Sequence, residues 1–341
     1  MEYRLLGRSG LYVSAFCFGA MTFGGGNAGD VEADEARRQI DICLEAGVNL
    51  IDTADIYSKG RSEEILGEVL KGRRQDVMIA TKAFGDTSRD INGRGLSRKH
   101  LIEACEASLK RLGTDYVDLY QAHNYDGLTP MEEILGAMDD LVRAGKVRYV
   151  GHSNFGAWHL VKAQMTAQKH GFAPTISQQI NYSLVRRDAE FEMLPAGVDQ
   201  GVGALIWSPL AQGYLSGKFR QPLNETTRLG AMGRAEYWND EVGQRVLAAL
   251  DEVAQGYPGA SLSQVALNWV RRQGGVSSVI IGARTEAQLR DNLAAATWSL
   301  SDEDMDKLDR ASRRGLPYPA SHHRAYGRGR IPGLSLQPIP A

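Results

Sequence analysis

Cysteine is scarce in this chain. Cys17, Cys43 and Cys105 are scattered through 341 residues with no C-x-x-C pair. That excludes a disulfide framework and a Cys-x-x-Cys zinc site, leaves no metal expected, and fits reduced thiols in the cytoplasm. An excess of one charge sign is also lacking. The 39 Lys+Arg and 41 Asp+Glu residues leave a net charge of −2, without the basic face that a nucleic-acid partner requires. No apolar run approaches the ~18 residues that would span a bilayer, so no membrane partner is expected. The opening MEYRLLGRSG is too polar for a signal peptide. There is no fixed-period repeat and no low-complexity segment. With 38 Gly, 11 Pro and 43% hydrophobic residues, collagen-like sequence and intrinsic disorder are excluded as well.

What is present is an alternation. Eight short β-rich runs recur: VSAFCFG (13–19), VNLID (48–52), DVMIATK (76–82), YVDLYQAH (116–123), VRYVGHSN (147–154), TISQQINY (175–182), VGALIWS (202–208) and VSSVIIG (276–282). Several are nearly continuous apolar runs, as strands buried on both faces are. Helical patterns lie between them. Segment 97–112 puts Leu101, Cys105, Ser108 and Leu112 on one face and stops at Gly113. Capping boxes are expected at Thr129–Glu132, with Pro130 at the first helical position, at Ser261–Gln264 and at Thr285–Gln288.

Eight alternations predict a single-domain α/β fold over 1–341, a (β/α)8 TIM barrel with two extra helices. Tyr3–Leu6 and Leu11–Ser14 flank Gly7–Gly10 and are expected to form an N-terminal β-hairpin plugging the barrel bottom. The runner-up, a doubly wound open sheet, lacks its usual G-x-G-x-x-G fingerprint, because the first turn reads GAMTFGGG (19–26). Residues 209–240 read as an irregular insertion, and 313–341 as an extended C-terminal tail.

Barrel enzymes build their sites from the loops after the strands. Here Asp52, Lys82 and His123 end strand runs two, three and four. Ser153 and Asn154 end run five, Gln179 lies near the end of run six, and Trp207 and Gly282 end runs seven and eight. Tyr57 follows Asp52 by five residues. Each has a bland reading: a helix cap for Asp52, a solvated cation for Lys82, a core residue for His123. Sharing one rim changes their meaning. A phenol with an ordinary pKa of about 10 is a poor acid near pH 7 until a cation stands beside it. A unit charge at ~4 Å and an effective dielectric of ~20 is worth roughly 4 kcal/mol, or up to about three pKa units before desolvation opposes it. Lys82 can supply the charge, Asp52 can hold Lys82, and His123 can orient a carbonyl oxygen. Such a set protonates oxygen while another agent delivers hydride, and no side chain donates hydride, so a nicotinamide is required.

These motifs resemble the aldo-keto reductase superfamily, particularly its bacterial aryl-alcohol-dehydrogenase-like and potassium-channel-β-subunit-like branches. The resemblance covers about residues 3–312 and rests on FGAMTFGG (18–25), NLIDTADIYSKGRSEEILG (49–67), MIATK (78–82), SLKRLGTDYVDLYQAHNYD (108–126), LVRAGKVRYVGHSN (141–154), QINYSL (179–184), WSPLAQGYLSGKF (207–219) and IIGARTEAQLRDNL (280–293). It implies a catalytic tetrad of Asp52, Tyr57, Lys82 and His123 and a cofactor, NADPH, lying extended across the strand ends. It also implies cofactor contacts at Gly19 and Met21, carboxamide partners at Ser153, Asn154 and Gln179, and ring stacking on Trp207. A pyrophosphate strap is implied at Ser208, Pro209, Leu210, Gly213, Leu215 and Lys218, and an adenosine end at Gly282, Arg284, Gln288 and Asn292. An independent argument favours a 2′-phosphate: Arg284 precedes the helix N-terminus at Thr285, where free N–H groups and the dipole attract anions.

The expected activity is NADPH-dependent, reversible reduction of an aldehyde or ketone to an alcohol, with Tyr57 as proton donor. The alternative is a nicotinamide-binding regulatory subunit with little turnover, against which the retained His123 argues. A phosphate-binding barrel isomerase would need a carboxylate base that the motifs do not offer. The residue after His123 is Asn124, where many relatives carry Arg, and the tail YPASHHRAYGRGR (318–330) only partly echoes the YPYW-type ending of aryl-alcohol-dehydrogenase-like relatives. Phe23, Phe84 and Tyr125, with Tyr237 or Trp238, are expected at the substrate pocket, beside loops 24–30 and 84–95 and the tail. The physiological substrate, the direction and the oligomeric state, a homo-oligomer included, are left open.

Overall fold

The computed structural model describes residues 1–25, 31–86, 90–217 and 240–327. Two short antiparallel strands, β1 (Tyr3–Leu5) and β2 (Tyr12–Ser14), form the expected hairpin. Eight parallel strands follow: β3 (Phe16–Gly19), β4 (Leu50–Asp52), β5 (Met78–Ala83), β6 (Val117–Ala122), β7 (Val147–Ser153), β8 (Thr175–Asn181), β9 (Gly203–Trp207) and β10 (Val276–Ile281). They close in the order β10-β3-β4-β5-β6-β7-β8-β9. Closure leaves this eight-stranded sheet without an edge and excludes the open doubly wound alternative.

Helices α1 (Ala33–Glu45), α2 (Arg61–Val69), α3 (Arg98–Leu112), α4 (Met131–Arg143), α5 (Ala157–His170) and α6 (Met193–Gln200) make the first six crossovers. Between β9 and β10 stand α7 (Glu241–Gln255) and α8 (Leu262–Arg271). After β10 come α9 (Glu286–Ala294) and α10 (Asp302–Ser312). A helix also forms where an extended tail was expected: α11 (Ala320–Gly327). Its first turn is tied by Ser321 N–H to Pro317 O and His323 N–H to Pro319 O, both 2.9 Å. The two prolines stand at the start, where a helix needs no N–H from them, and the run after them has no β-branched residue to resist a helix. Among the described residues no helix is long and apolar enough to cross a membrane.

At two of the three expected capping boxes the N-cap half forms. Ser261 accepts from Gln264 N–H, and Thr285 from Gln288 N–H. The Gln288 side chain reaches back, accepting from Arg284 N–H at 3.1 Å. Thr129 does not cap α4. The helix starts one residue later, with Pro130 at the N-cap position rather than inside it, so Thr129 lies outside the helix and its hydroxyl donates to Asp126 Oδ2 at 2.7 Å, which also receives Leu96 N–H.

The core has two layers. A small one fills the barrel: Cys17, Leu50, Ala80, Leu119, Ile176 and Leu205 point inward and meet Leu6 and Val13 of the hairpin. Gly7 permits that plug. It has φ +60, and a Cβ there would lie 2.5 Å from Gly201 O and 2.6 Å from Ile176 O. The larger layer packs the strands' outward faces against the helices.

Candidate active site

The period of two along each strand builds the site. On four strands, two residues beyond the apolar barrel-filling side chain toward the C-terminal end stands a different kind of residue: Leu50 gives way to Asp52, Ala80 to Lys82, Leu119 to Gln121 and Leu205 to Trp207. The register places Lys82 beside Gln121 and Ser153 beside Gln179. The barrel is thus apolar below and polar at its mouth.

Lys82 is fully buried, and its Nζ meets Asp52 Oδ1 at 2.5 Å, Thr53 O at 2.7 Å and Tyr57 OH at 3.2 Å. Burial alone would push its pKa down. The Asp52 and Tyr57 charges outweigh burial and hold it above the ordinary lysine value. Lys82 is therefore a fixed cation. Asp52 is fixed in turn, its Oδ2 receiving Gln179 Nε2 at 2.7 Å and Gln121 Nε2 at 3.4 Å. The His123 ring stands edge-on to the Tyr57 ring, centroids 5.7 Å apart. Burial first, and then the Lys82 charge, lowers the His123 pKa to about 3. Its imidazole is neutral at physiological pH and keeps one N–H to donate. The four residues of the expected tetrad thus meet around one phenol.

Backbone strain marks the same rim. The six non-glycine residues with positive φ among the described residues are Ser58, Lys59, Asn154, Ser208, Ala211 and Gln212. All lie in loops leaving the C-terminal ends of β4, β7 and β9, and such strain is concentrated where function over-determines the backbone. Asn154 is central. Its Nδ2 donates to His123 O and Ser153 Oγ, both 3.0 Å, and its Oδ1 accepts from Trp207 Nε1 at 3.2 Å. It locks the ends of three strands together. Ser58 Oγ likewise lies 2.8 and 2.6 Å from the carbonyls of Phe23 and Gly25, joining the loops after β3 and β4.

The residues expected to hold a cofactor line one arc of this rim. Gly19 and Met21 leave β3. Ser153, with its hydroxyl on Gln179 O at 3.0 Å, stands opposite Gln179. Trp207, Ser208, Pro209 and Leu210 run into the strained turn, where Gly213 (φ +97) has open space around the position a Cβ would take and the buried Gln212 Oε1 has no partner. Leu215 is wholly buried. Lys218 lies outside the described residues. Gly282, Arg284 and Gln288 follow β10, and Asn292 Nδ2 holds Gly282 O at 3.4 Å. An open glycine, an orphaned buried amide oxygen and a capped helix N-terminus fit a dinucleotide laid across the strand ends.

The pocket expectations fare unevenly. Phe84 and Tyr125 are half-buried at the mouth. Phe23 has no exposed surface and packs on Phe18, ring centroids 5.6 Å apart. It belongs to the core, because the turn at Gly24 and Gly25 folds the chain back over it. Tyr237 and Trp238 lie outside the described residues, as do 26–30 and 87–89 of the two loops. Of the tail, Pro317, Tyr318 and His323 border a cavity of about 530 Å3 with Gly156, Ala157 and Phe191. Several participants carried no motif of their own. Gln121 was recoverable, being two residues before His123 on the same inward row. The His159–Trp158 pair, on which Tyr125 stacks at 3.6 Å from His159, had no signal beyond its aromatic character.

Comparison with known proteins agrees with this geometry. The aldo/keto reductase family model matches residues 15–313. An uncharacterized oxidoreductase, YrpG, of Bacillus subtilis (strain 168) is 41% identical over 91% of this chain and 95% of its own length. A probable voltage-gated potassium channel subunit beta of Arabidopsis thaliana is 37% identical over 94% of this chain and all of its own. A putative subunit of the same kind from Schizosaccharomyces pombe (strain 972 / ATCC 24843) is 36% identical over 91% and 92%. With the family model matched over residues 15–313 and relatives 36–41% identical over at least nine-tenths of the chain, the chain belongs to the aldo/keto reductase family.

Proposed function

We propose that this oxidoreductase reduces an aldehyde or ketone to an alcohol, reversibly, with NADPH as its cofactor. One observation carries the reading: the Tyr57 hydroxyl lies 3.2 Å from an ammonium that is itself pinned at 2.5 Å to a buried carboxylate. Bound reduced nicotinamide supplies the hydride for the carbonyl carbon. Tyr57 gives its proton to the carbonyl oxygen, so that one hydride and one proton complete the alcohol. Lys82 keeps its own proton and stabilises the charge left on Tyr57, which regains a proton from solvent. Neutral His123 donates to the same carbonyl oxygen and orients it. Asp52 holds Lys82, and Gln121 and Gln179 hold Asp52. Asn154 keeps Trp207 and the His123 backbone in one frame for the nicotinamide end, while Arg284 beside the α9 N-terminus attracts the 2′-phosphate. Three free, buried cysteines suit a reducing cytoplasm.

A second reading is favoured by the relatives named as channel β subunits: a nicotinamide-binding regulatory subunit with little turnover. One experiment separates the two. Purified protein is assayed against aldehydes, ketones and alcohols by nicotinamide absorbance, with NADPH and NADH in parallel. Sustained NADPH consumption with some carbonyl is the expected result. Tight NADPH binding without turnover across the panel would favour the regulatory reading.

A further inference from the structure

Behind the tetrad, in the layer between the barrel and α2 and α3, lies a carboxyl group that the chemistry above leaves without a role. Asp55 stands three residues after Asp52 and two before Tyr57, and its backbone N–H is anchored to Lys82 O at 3.1 Å. Its side chain belongs to a residue only 2% exposed, and neither carboxyl oxygen is paired with another side chain, the Ile56 amide being the one polar hydrogen near it. Unpaired buried carboxylates are costly and need a reason. The neighbouring polar groups are satisfied among themselves and offer it no proton. Glu63 of α2, wholly buried, takes Thr81 Oγ1 at 2.5 Å on one oxygen and Arg111 Nε at 2.7 Å on the other. Ser62 and Thr53 hydroxyls pair at 2.9 Å. The Tyr120 hydroxyl donates to Leu101 O at 2.9 Å.

We propose that Asp55 is a positioning residue for the proton donor, a buried carboxyl whose gain and loss of a proton changes the electrostatic field at Lys82 and Tyr57 and so regulates the acidity of the phenol. This rests on the reading of Tyr57 as proton donor. The charged and titratable groups around Asp55 are Glu63 on α2, Arg111 and Cys105 on α3, Lys82 on β5 and Tyr120 on β6. Burial first, then Glu63, raises the Asp55 pKa to about 7, while Arg111, the Ile56 amide and Lys82 pull it down less strongly. Asp55 is therefore neutral on the acid side of pH 7 and ionised on the basic side, taking its proton from solvent or returning it there. When ionised it adds a negative charge beside the Lys82–Tyr57 pair. The phenolate becomes harder to form, and the protonated phenol that carbonyl reduction uses is favoured. When neutral it withdraws that charge, and the base form that alcohol oxidation uses comes within reach at lower pH.

The test uses Asp55→Asn, which keeps the shape and abolishes the titration. A unit charge ~10 Å away at an effective dielectric of ~20 moves a pKa by roughly one unit. Tyr57 ionisation is read as the phenolate absorbance lost in Tyr57→Phe, in both the wild-type and the Asp55→Asn background, and needs no turnover. In the Asn background the transition is expected at a pH about half to one unit lower. In wild type, the kcat profiles for reduction and oxidation should carry an inflection near pH 7, absent in Asp55→Asn and restored in Asp55→Glu. Should the Asn variant not fold, carbon-13 carboxyl NMR of wild type, assigned through Asp55→Glu, must show Asp55 titrating between pH 6 and 8. Coincident Tyr57 transitions in the two backgrounds, or a carboxyl that does not titrate in that window, would overturn the proposal. Absence of turnover in wild type would instead count against the reading of the site, and the absorbance titration would still decide for or against Asp55.

Discussion

At the scale of single residues, the site is a set of fixed charges around one movable proton. Lys82 cannot titrate near neutrality and His123 is held neutral, and in the proposed reaction Tyr57 is the group that exchanges a proton with substrate. Tyr57→Phe removes the hydroxyl and keeps the ring that packs edge-on against His123. We expect turnover to fall by about 10²-fold or more, the usual worth of general acid catalysis, with NADPH affinity changed little. Near-normal turnover in this variant would move the acid role to His123. Asp52, Tyr57, Lys82 and His123 were legible in the sequence because each ends a strand run or follows one closely, and a barrel brings strand ends together. Phe23 was misread because aromatic character does not tell which side of a turn a ring falls on. Asp55 was invisible for a related reason: beside Asp52 it looks like a loop carboxylate, and only the packing of α2 and α3 over it shows that it is sealed from water.

At the scale of elements, strands and hairpin were legible to within a few residues, because apolar runs of period two bounded by glycine have few other solutions. Caps were less so. Helix α4 starts one residue later than the spacing suggests, which leaves Thr129 outside it, and the tail helix follows two prolines that read as breakers although a helix start needs no N–H from them. The division of labour between the barrel's ends gives two predictions. Gly7→Ala at the closed end places a side chain where φ is +60 and two carbonyls lie within 2.6 Å. It should destabilise by more than about 1 kcal/mol, lowering Tm by several degrees, while kcat per folded molecule is unchanged. A large loss of kcat without loss of Tm would mean that the plug communicates with the mouth. Arg284→Ala at the open end removes a charge just before the N-terminus of α9. It should weaken NADPH about ten- to a hundredfold, from ~1.5–3 kcal/mol for a charge-assisted contact, and NADH far less, with the difference shrinking as salt rises. Trp fluorescence titrations of both cofactors measure this, and equal losses would show that Arg284 does not read the 2′-phosphate.

At the scale of the whole molecule, the price of a dry, preorganised barrel appears in its response to acid. Among the described residues, burial lowers the pKa of His100, His123, His152 and His159, most strongly for His123 and His152. Burial, with the Lys82 charge, holds His123 at about 3, and burial, with His159, holds His152 at about 3. His152 is 2% exposed, stacks on Phe155 at 4.5 Å and has no partner for either ring nitrogen. An unfolded histidine titrates near 6.5. Below that value the unfolded chain binds protons that the folded one refuses, so the stability each contributes is full above pH 6.5 and is lost progressively as pH falls toward 3. At pH 5 the loss is about 2 kcal/mol for each. Asp55 acts in the opposite sense. Its raised pKa makes its contribution full below about 4 and lost as pH rises through about 7, so on acidification it recovers stability over part of the window in which the histidines lose it. Because His152 lies away from the tetrad, its share can be isolated. His152→Leu fills the same apolar space with no basic nitrogen, and the drop in denaturation free energy between pH 7 and pH 5 should shrink by about 2 kcal/mol relative to wild type. Urea unfolding at the two pH values measures it. A drop as large in the variant as in wild type would mean that His152 finds a proton partner in the folded state, and that acid sensitivity arises elsewhere in the barrel.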